Sequence, residues 1–199
     1  MPLKDIDLLL KNFDAVSPDI LLDREGRTKL SKASFILSFD DGLREVKETI
    51  LPILKQKGVP AIFFLNNNFI GNKALFYRYK ISLLLDYFIN NPLNSGELKI
   101  LTDLLKTRIS NIKDIEKSLL QLKYRDTELI DKLSGAFKID FDAYLSENQP
   151  YLNEDEILEL KEQGFFIGSH SFDHPDFSDL SQANQLMEIK ESSADIKKR

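Results

Sequence analysis

The chain has 199 residues, enough for one ordinary domain with a sizeable core, and at 42% hydrophobic and 30% charged its composition is globular rather than disordered. A formal net charge of −5 argues against a nucleic-acid partner, because phosphate binding needs clustered Lys and Arg; the dense basic run Lys197-Lys198-Arg199 reads as a solvated helix end. With no cysteine there is neither a disulfide framework nor a thiolate zinc site.

The first residues mix Lys4, Asp5, Asp7 and Lys11 among leucines, so they lack the uninterrupted apolar core of a secretory signal. No stretch approaches the length of a transmembrane helix, and the expected location is cytoplasmic. Leu3, Ile6, Leu8, Leu9, Leu10 and Phe13 have the spacing of a short amphipathic helix. Ser17-Pro18 opens a short turn or helix through Leu22, and residues 23–32 read as a polar loop. The apolar run at 34–39 predicts one buried parallel strand. After Gly42 the period becomes helical, with Leu43, Val46, Thr49, Ile50, Ile53 and Leu54 on one face, a kink expected at Pro52, and Gly58 as a left-handed stop. A second apolar run, Val59 to Leu65, ends in Asn66-Asn67-Asn68. Strand, helix and strand in this order form a βαβ unit with a right-handed crossover.

Residues 71–149 are too long for an α/β loop and carry helical patterns at 76–89, 97–108, 112–124 and 126–133, so they read as a helical insertion. A further helix passes through Ile157, Leu158 and Leu160, with Asn153 as N-cap and Glu156 as its capping-box partner. The third apolar run, residues 164–168, follows it, and from Ser181 the pattern is helical again.

The first strand runs directly into Asp40-Asp41-Gly42. Two adjacent carboxylates at the C-terminal end of a buried strand repel each other and lose hydration unless a cation sits beside them. The chain contains two histidines, His170 and His174, and both follow the third strand. Neutral imidazole and carboxylate suit zinc and other divalent first-row metals, and two His with one Asp leave positions open for water and substrate. The competing reading is two loop histidines that happen to be close. Neighbouring residues leaving a strand point in different directions, so one aspartate ligates while the other faces the water as a general base. Gly42 allows a sharp turn and close approach of substrate; a helix N-cap is the structural alternative for Asp40-Asp41-Gly42.

Ser38-Phe39-Asp40-Asp41-Gly42 resembles the first motif of the polysaccharide deacetylase family, the NodB-homology domain of carbohydrate esterase family 4. His170-Ser171-Phe172-Asp173-His174 is similar to its second motif, His-Ser/Thr-x-x-His, and Lys57-Gly58-Val59-Pro60-Ala61-Ile62-Phe63-Phe64 to the segment carried on its second strand. The resemblance covers residues 34–70 and about 150–199. It implies an α/β fold, a partial (β/α) barrel of the NodB-homology type with a helical insertion between the second and third core strands. Residues 1–70 and 150–199 would form the N-terminal part of that domain and 71–149 the insertion. It further implies a divalent metal ion, most commonly Zn2+, with Asp41, His170 and His174 as ligands, Asp40 as general base, and Ser171 bracing the histidine loop. The family's later motifs, which supply a hydrophobic pocket and a leaving-group histidine, have no counterpart up to Arg199, so the sequence reads as the N-terminal part of a deacetylase.

The expected function is metal-dependent hydrolysis of acetyl groups from N-acetylated or O-acetylated oligo- or polysaccharide. The alternative is a non-catalytic glycan- or partner-binding protein of the same ancestry with a vestigial metal site. A metallophosphatase built on Asp-Asp-Gly is disfavoured, since no phosphate-cradling glycine loop accompanies it. Asp140-Phe141-Asp142 has the Asp-x-Asp spacing of some phosphatases and glycosyltransferases, but a helix N-cap is the preferred reading. Phe76, Tyr77 and Tyr79 are expected to pack on a helix face, with sugar stacking as the other use, and Asn66-Asn67-Asn68 stands where a polar substrate contact is conceivable.

Overall fold

Parallel strand pairing organises the part of the chain that carries Asp40-Asp41-Gly42. The computed structural model describes residues 2–23, 29–30 and 32–199, the side chains of Pro2 and Leu3 excepted; most of the polar loop expected at 23–32 lies outside the described residues. In chain order the elements are α1 (Pro2–Asn12), β1 (Asp14–Ala15), a 3-10 turn (Pro18–Leu22), β2 (Ser34–Phe35), β3 (Leu37–Phe39), a π turn (Val46–Ile50), α2 (Leu51–Lys57) and β4 (Ala61–Leu65). There follow α3 (Tyr77–Asn90), α4 (Ser95–Leu105), α5 (Ile112–Leu120), a 3-10 turn (Tyr124–Asp126), α6 (Thr127–Ala136) and α7 (Phe141–Asn148). The chain closes with α8 (Glu154–Glu162), β5 (Phe166–Ser169), a 3-10 turn (Phe177–Asp179) and α9 (Gln182–Ile196). Two units divide these elements: Met1–Lys73 with Gln149–Phe172 and Leu186–Arg199, and Ala74–Asn148 with Asp173–Gln185. No helix of the described residues is long and apolar enough to cross a membrane.

The first unit is α/β, with two small parallel sheets. β1 pairs with β2, and a three-stranded sheet has the order β3-β4-β5, all parallel. The single strand expected at 34–39 is therefore two. Its first half pairs with Asp14–Ala15 and its second with Ala61–Phe63, and the chain changes sheets at Ile36. Hydrophobicity alone does not mark that change, because both halves face the same core. β4 is the central strand, with Ala61, Phe63 and Leu65 buried and Ile62 and Phe64 half-buried, as expected of a parallel strand covered on both faces. The Phe63 ring centroid lies 5.4 Å from that of Phe39 and, edge-on, 5.8 Å from that of Phe165. Leu51 and Leu54 of α2 and Ile157 and Leu160 of α8 complete this core.

The helix after Gly42 also departs from the expected form. Instead of one kinked helix, the chain makes a π turn over Val46–Ile50 and then α2, with Pro52 in its first turn. Proline lacks an N–H and its ring clashes with the carbonyl four residues back, so the wider π turn before it absorbs the conflict. Gly58 ends α2 at φ 62°, donating from its N–H to Lys55 O at 3.2 Å, while Val59 N donates to Leu54 O at 2.9 Å. The α8 cap is as read from the sequence: Glu156 N donates to the Asn153 side chain and Asn153 N to the Glu156 carboxylate, both at 2.9 Å. Lys47 stands 2.6 Å from the Glu159 carboxylate, and this hydrogen bond, reinforced by the lysine charge, holds Glu159 below the usual carboxylate range.

The second unit is helical. α3 packs on α5 and α6, and α4 on α6. Leu84, Leu101, Leu119, Ile130 and Leu133 are wholly buried there, and Phe88 meets Phe137 edge-to-face at 4.8 Å. The helix expected at 112–124 ends at Leu120; Lys123 N then donates to the Asp126 carboxylate at 2.9 Å, which starts the Tyr124–Asp126 turn. Asp140-Phe141-Asp142 opens α7. The Asp140 carboxylate accepts from Asp142 N (3.1 Å) and Ala143 N (2.9 Å), an N-cap and not a strand end.

Candidate metal centre

β3 delivers the chain to Asp40 and then turns sharply, with Asp41 at φ 68° and Gly42 at φ 66°. Aspartate tolerates the left-handed region better than most side chains; at Gly42 a Cβ would also come within 2.9 Å of Leu65 Cδ2. Conformation and space both call for glycine there. The turn is held from the far end of the unit. Leu152 N donates to Gly42 O at 2.9 Å, Arg44 N donates to Pro150 O at 2.8 Å, and Leu43 forms an antiparallel bridge with Tyr151.

Tyr151 is held in turn by one side chain that behaves as a short strand. Asn72 Nδ2 donates to Tyr151 O at 3.0 Å, and Tyr151 N donates to Asn72 Oδ1 at 2.9 Å. Asn72 sits at φ 58°, where asparagine is among the better-tolerated residues. Asn72→Ala is expected to cost about 1–3 kcal/mol, since it leaves the backbone polar groups of a buried residue without partners. Urea unfolding measures this, and a change within error of zero would show that the clamp contributes nothing.

The second motif continues the β4–β5 ladder. His170 N donates to Leu65 O at 2.8 Å, so the imidazole leaves the sheet at its C-terminal edge. Asn66, Asn67 and Asn68 then follow the histidine loop residue by residue. Asn66 Nδ2 donates to His170 O and, at 3.4 Å, to Ser171 Oγ. Asn67 N donates to Ser171 O at 3.2 Å and Asn68 N to Phe172 O at 3.3 Å. On the other side, Phe172 N donates to the Glu188 carboxylate of α9 at 2.9 Å. Asn67 Nδ2 donates to Ser192 O (3.0 Å) and Asp195 Oδ2 (2.8 Å), which ties the loop to α9 again. Ser171 and His174 lie at φ 73° and 56°, a conformation that a serine or histidine keeps only where its surroundings over-determine it.

The two motifs meet. Asp41 Oδ1 stands 3.6 Å from His170 Nε2. Asp41 and His170 thus set one carboxylate oxygen beside one imidazole nitrogen, and His174 follows His170 by four positions in the chain. A spacing of 3.6 Å is too long for a hydrogen bond but close to the roughly 3.3 Å that separates two donors on one tetrahedral zinc with bonds of ~2.0–2.1 Å. The side chains of His170 and Asp41 keep 33% and 31% of their surface exposed, which suits an open site that admits water and substrate better than a closed structural one.

A family model described as polysaccharide deacetylase matches residues 27–199. The chain belongs to the polysaccharide deacetylase family. No curated protein and no solved structure matches it. Polysaccharide deacetylases act on acetylated polysaccharides and use a divalent metal, and the donor set of this member, two imidazoles and one carboxylate, is of the kind such an ion takes.

In this deacetylase-family chain, Asp40 is exposed. Ser171 accepts from Asn67 through its carbonyl and from Asn66 through its hydroxyl oxygen. The asparagines behave differently from a substrate-facing loop: Asn66 and Asn67 are 1% and 2% exposed, the Asn66 side chain holds the histidine loop, and that of Asn67 holds α9. Phe76, expected on a helix face, instead caps α3 from outside the helix, and its ring lies 4.6 Å from the imidazole of His174. Glu188, Asn72 and Tyr151 carried no sequence signal beyond their residue types. The one available hint for Asn66 and Asn67 was a run of amides directly after a fully apolar strand, where buried polar groups need partners.

Proposed function

We propose that this chain binds a divalent metal ion, Zn2+ by the chemistry of its donors, through Asp41, His170 and His174, and hydrolyses acetyl groups from N- or O-acetylated carbohydrate with Asp40 as general base. The observation that carries this reading is the Asp41 carboxylate 3.6 Å from His170 Nε2, reached from two strands that flank β4. We also assign residues 71–149 as an insertion into a partial (β/α) barrel formed by 1–70 and 150–199.

A bound divalent ion would polarise the acetyl carbonyl and make a water molecule more acidic. Asp40 takes a proton from the attacking water onto its carboxylate. The water oxygen bonds to the acetyl carbon, the C–N or C–O bond to the sugar breaks, the leaving amine or hydroxyl takes the proton held by Asp40, and acetic acid departs and loses its proton to solvent as acetate. Gly42, packed against Leu65, lets the chain turn sharply just after the two carboxylates. The Asn66–Asn68 run and Glu188 keep His170 and its loop from relaxing away from Asp41.

Metal analysis and an acetate-release assay on N-acetylglucosamine oligomers test this together. The expected result is roughly one divalent ion per chain, with turnover abolished by a chelator and restored by Zn2+. A protein that binds no divalent ion overturns the assignment. A protein that binds the ion but releases no acetate from any acetylated sugar is the non-catalytic member of the family instead.

A further inference from the structure

The segment that carries His174 has an acid at every third position, Asp173, Asp176 and Asp179. Each acid is held by a residue of the helical segment. Tyr124 donates its hydroxyl to Asp173 Oδ2 at 3.3 Å. Arg78 Nη2 donates to Asp176 Oδ1 at 3.3 Å and the Tyr77 hydroxyl to Asp176 Oδ2 at 3.4 Å. Lys123 Nζ reaches both oxygens of Asp179 at 3.2 and 3.1 Å, with Arg125 Nη1 at 3.4 Å. The Phe76 ring lies against His174 itself, 4.6 Å between centroids and tilted by 51°. Burial, ahead of its acidic neighbours, raises the Tyr77 hydroxyl above the ordinary tyrosine value, which favours its protonated, donating form.

Exposed pairs of this kind are individually weak and screened by salt. Here they act on one short stretch, from both sides of a histidine whose φ of 56° needs external support. The pattern is hard to explain as general surface chemistry, because each anchor ends on the same seven residues, Asp173 to Asp179. We propose that Phe76, Arg78, Lys123 and Tyr124 are positioning residues for His174, so that the helical segment supplies the outer shell of one metal ligand. This rests on the reading of His174 as a ligand. It gives the helices after β4 a chemical role: orientation of an imidazole, as outer partners commonly do for metal-bound histidine.

The test is a Co2+ titration of the whole chain, followed by the visible absorption of the bound ion and by chelator competition, with no substrate present. The combined variant Arg78→Met, Lys123→Met, Tyr124→Phe is expected to bind Co2+ about 10–100-fold more weakly, with an altered absorption band. Lys80→Met removes the Lys80–Asp131 pair (2.7 Å) elsewhere in the same helical segment and is expected to bind as the parent does. Lys123→Arg should retain affinity. Should the combined variant fail to fold, Tyr124→Phe alone, which deletes one oxygen, is read in its place, with a loss of at least about threefold expected. Parent-like affinity and spectrum in these variants overturn the proposal, as does an equal loss in Lys80→Met, which would mean general loosening. A parent chain that binds no Co2+ overturns the ligand assignment first and this inference with it; a parent that binds while the variants are unaffected sinks this inference alone.

Discussion

An Asp40→Asn variant is expected to keep its divalent ion and lose turnover of acetylated oligosaccharide by roughly 10²–10⁴-fold, the usual contribution of a general base. Asparagine keeps the shape of the side chain and cannot take up the proton of the attacking water. Asp41→Ala should fail in the opposite order. It removes a clustered donor, 3.6 Å from His170 Nε2, so metal affinity falls first, by more than the ~100-fold upper cost of losing an outer-shell partner, and activity follows it down. Metal content and kcat measured on both variants separate the roles. If Asp40→Asn also loses the ion, the two carboxylates share the metal and the division of labour is wrong. Full turnover in Asp40→Asn removes Asp40 from the proton transfer altogether.

Phe63→Ala is expected to destabilise the protein by about 3–5 kcal/mol, the range for deleting a buried aromatic ring. Phe63 is 1% exposed and lies between Phe39, the last residue before Asp40, and Phe165, which leads into β5. The cavity would therefore open beneath both strands that deliver ligands, and not at a remote corner of the core. Against a typical total stability of about 5–15 kcal/mol, such a loss is enough to leave a substantial unfolded fraction in a marginal domain. Urea unfolding gives the number directly. A cost below about 1.5 kcal/mol would mean that the surrounding side chains close the gap and that Phe63 is not what spaces β3 from β5.

Much of the local structure was legible because its causes are local. The all-apolar run Val59 to Leu65 became β4, Gly58 stopped α2 at a positive φ, and Asn153 with Glu156 capped α8. Each of these depends on residues within a few positions of one another, where spacing and side-chain chemistry suffice. The reading was weaker wherever a residue had two acceptable partners. The 34–39 run divided at Ile36 because its halves pair with strands from opposite sides of it in the chain, and the pattern of apolar residues is the same whichever partner is taken. The helix after Gly42 became a π turn plus α2 because Pro52 entered a first turn, not a helix interior. α7 was missed as an element although its cap, Asp140, had been recognised as one.

The same division runs through the site. By itself the sequence determined which kinds of group are on offer: its two histidines and the Asp40-Asp41 pair after an apolar strand are of the kind a divalent metal and a proton transfer require. Only the tertiary structure decided what holds them. Asn66 reaches a carbonyl 104 positions away, Asn72 a backbone 79 positions away, and the backbone at Ser171 is kept at a positive φ that serine rarely adopts. The physical reason is range. Ligand chemistry belongs to a side chain and is written at its position, whereas the burial that makes an amide into a brace exists only after distant segments have closed over it.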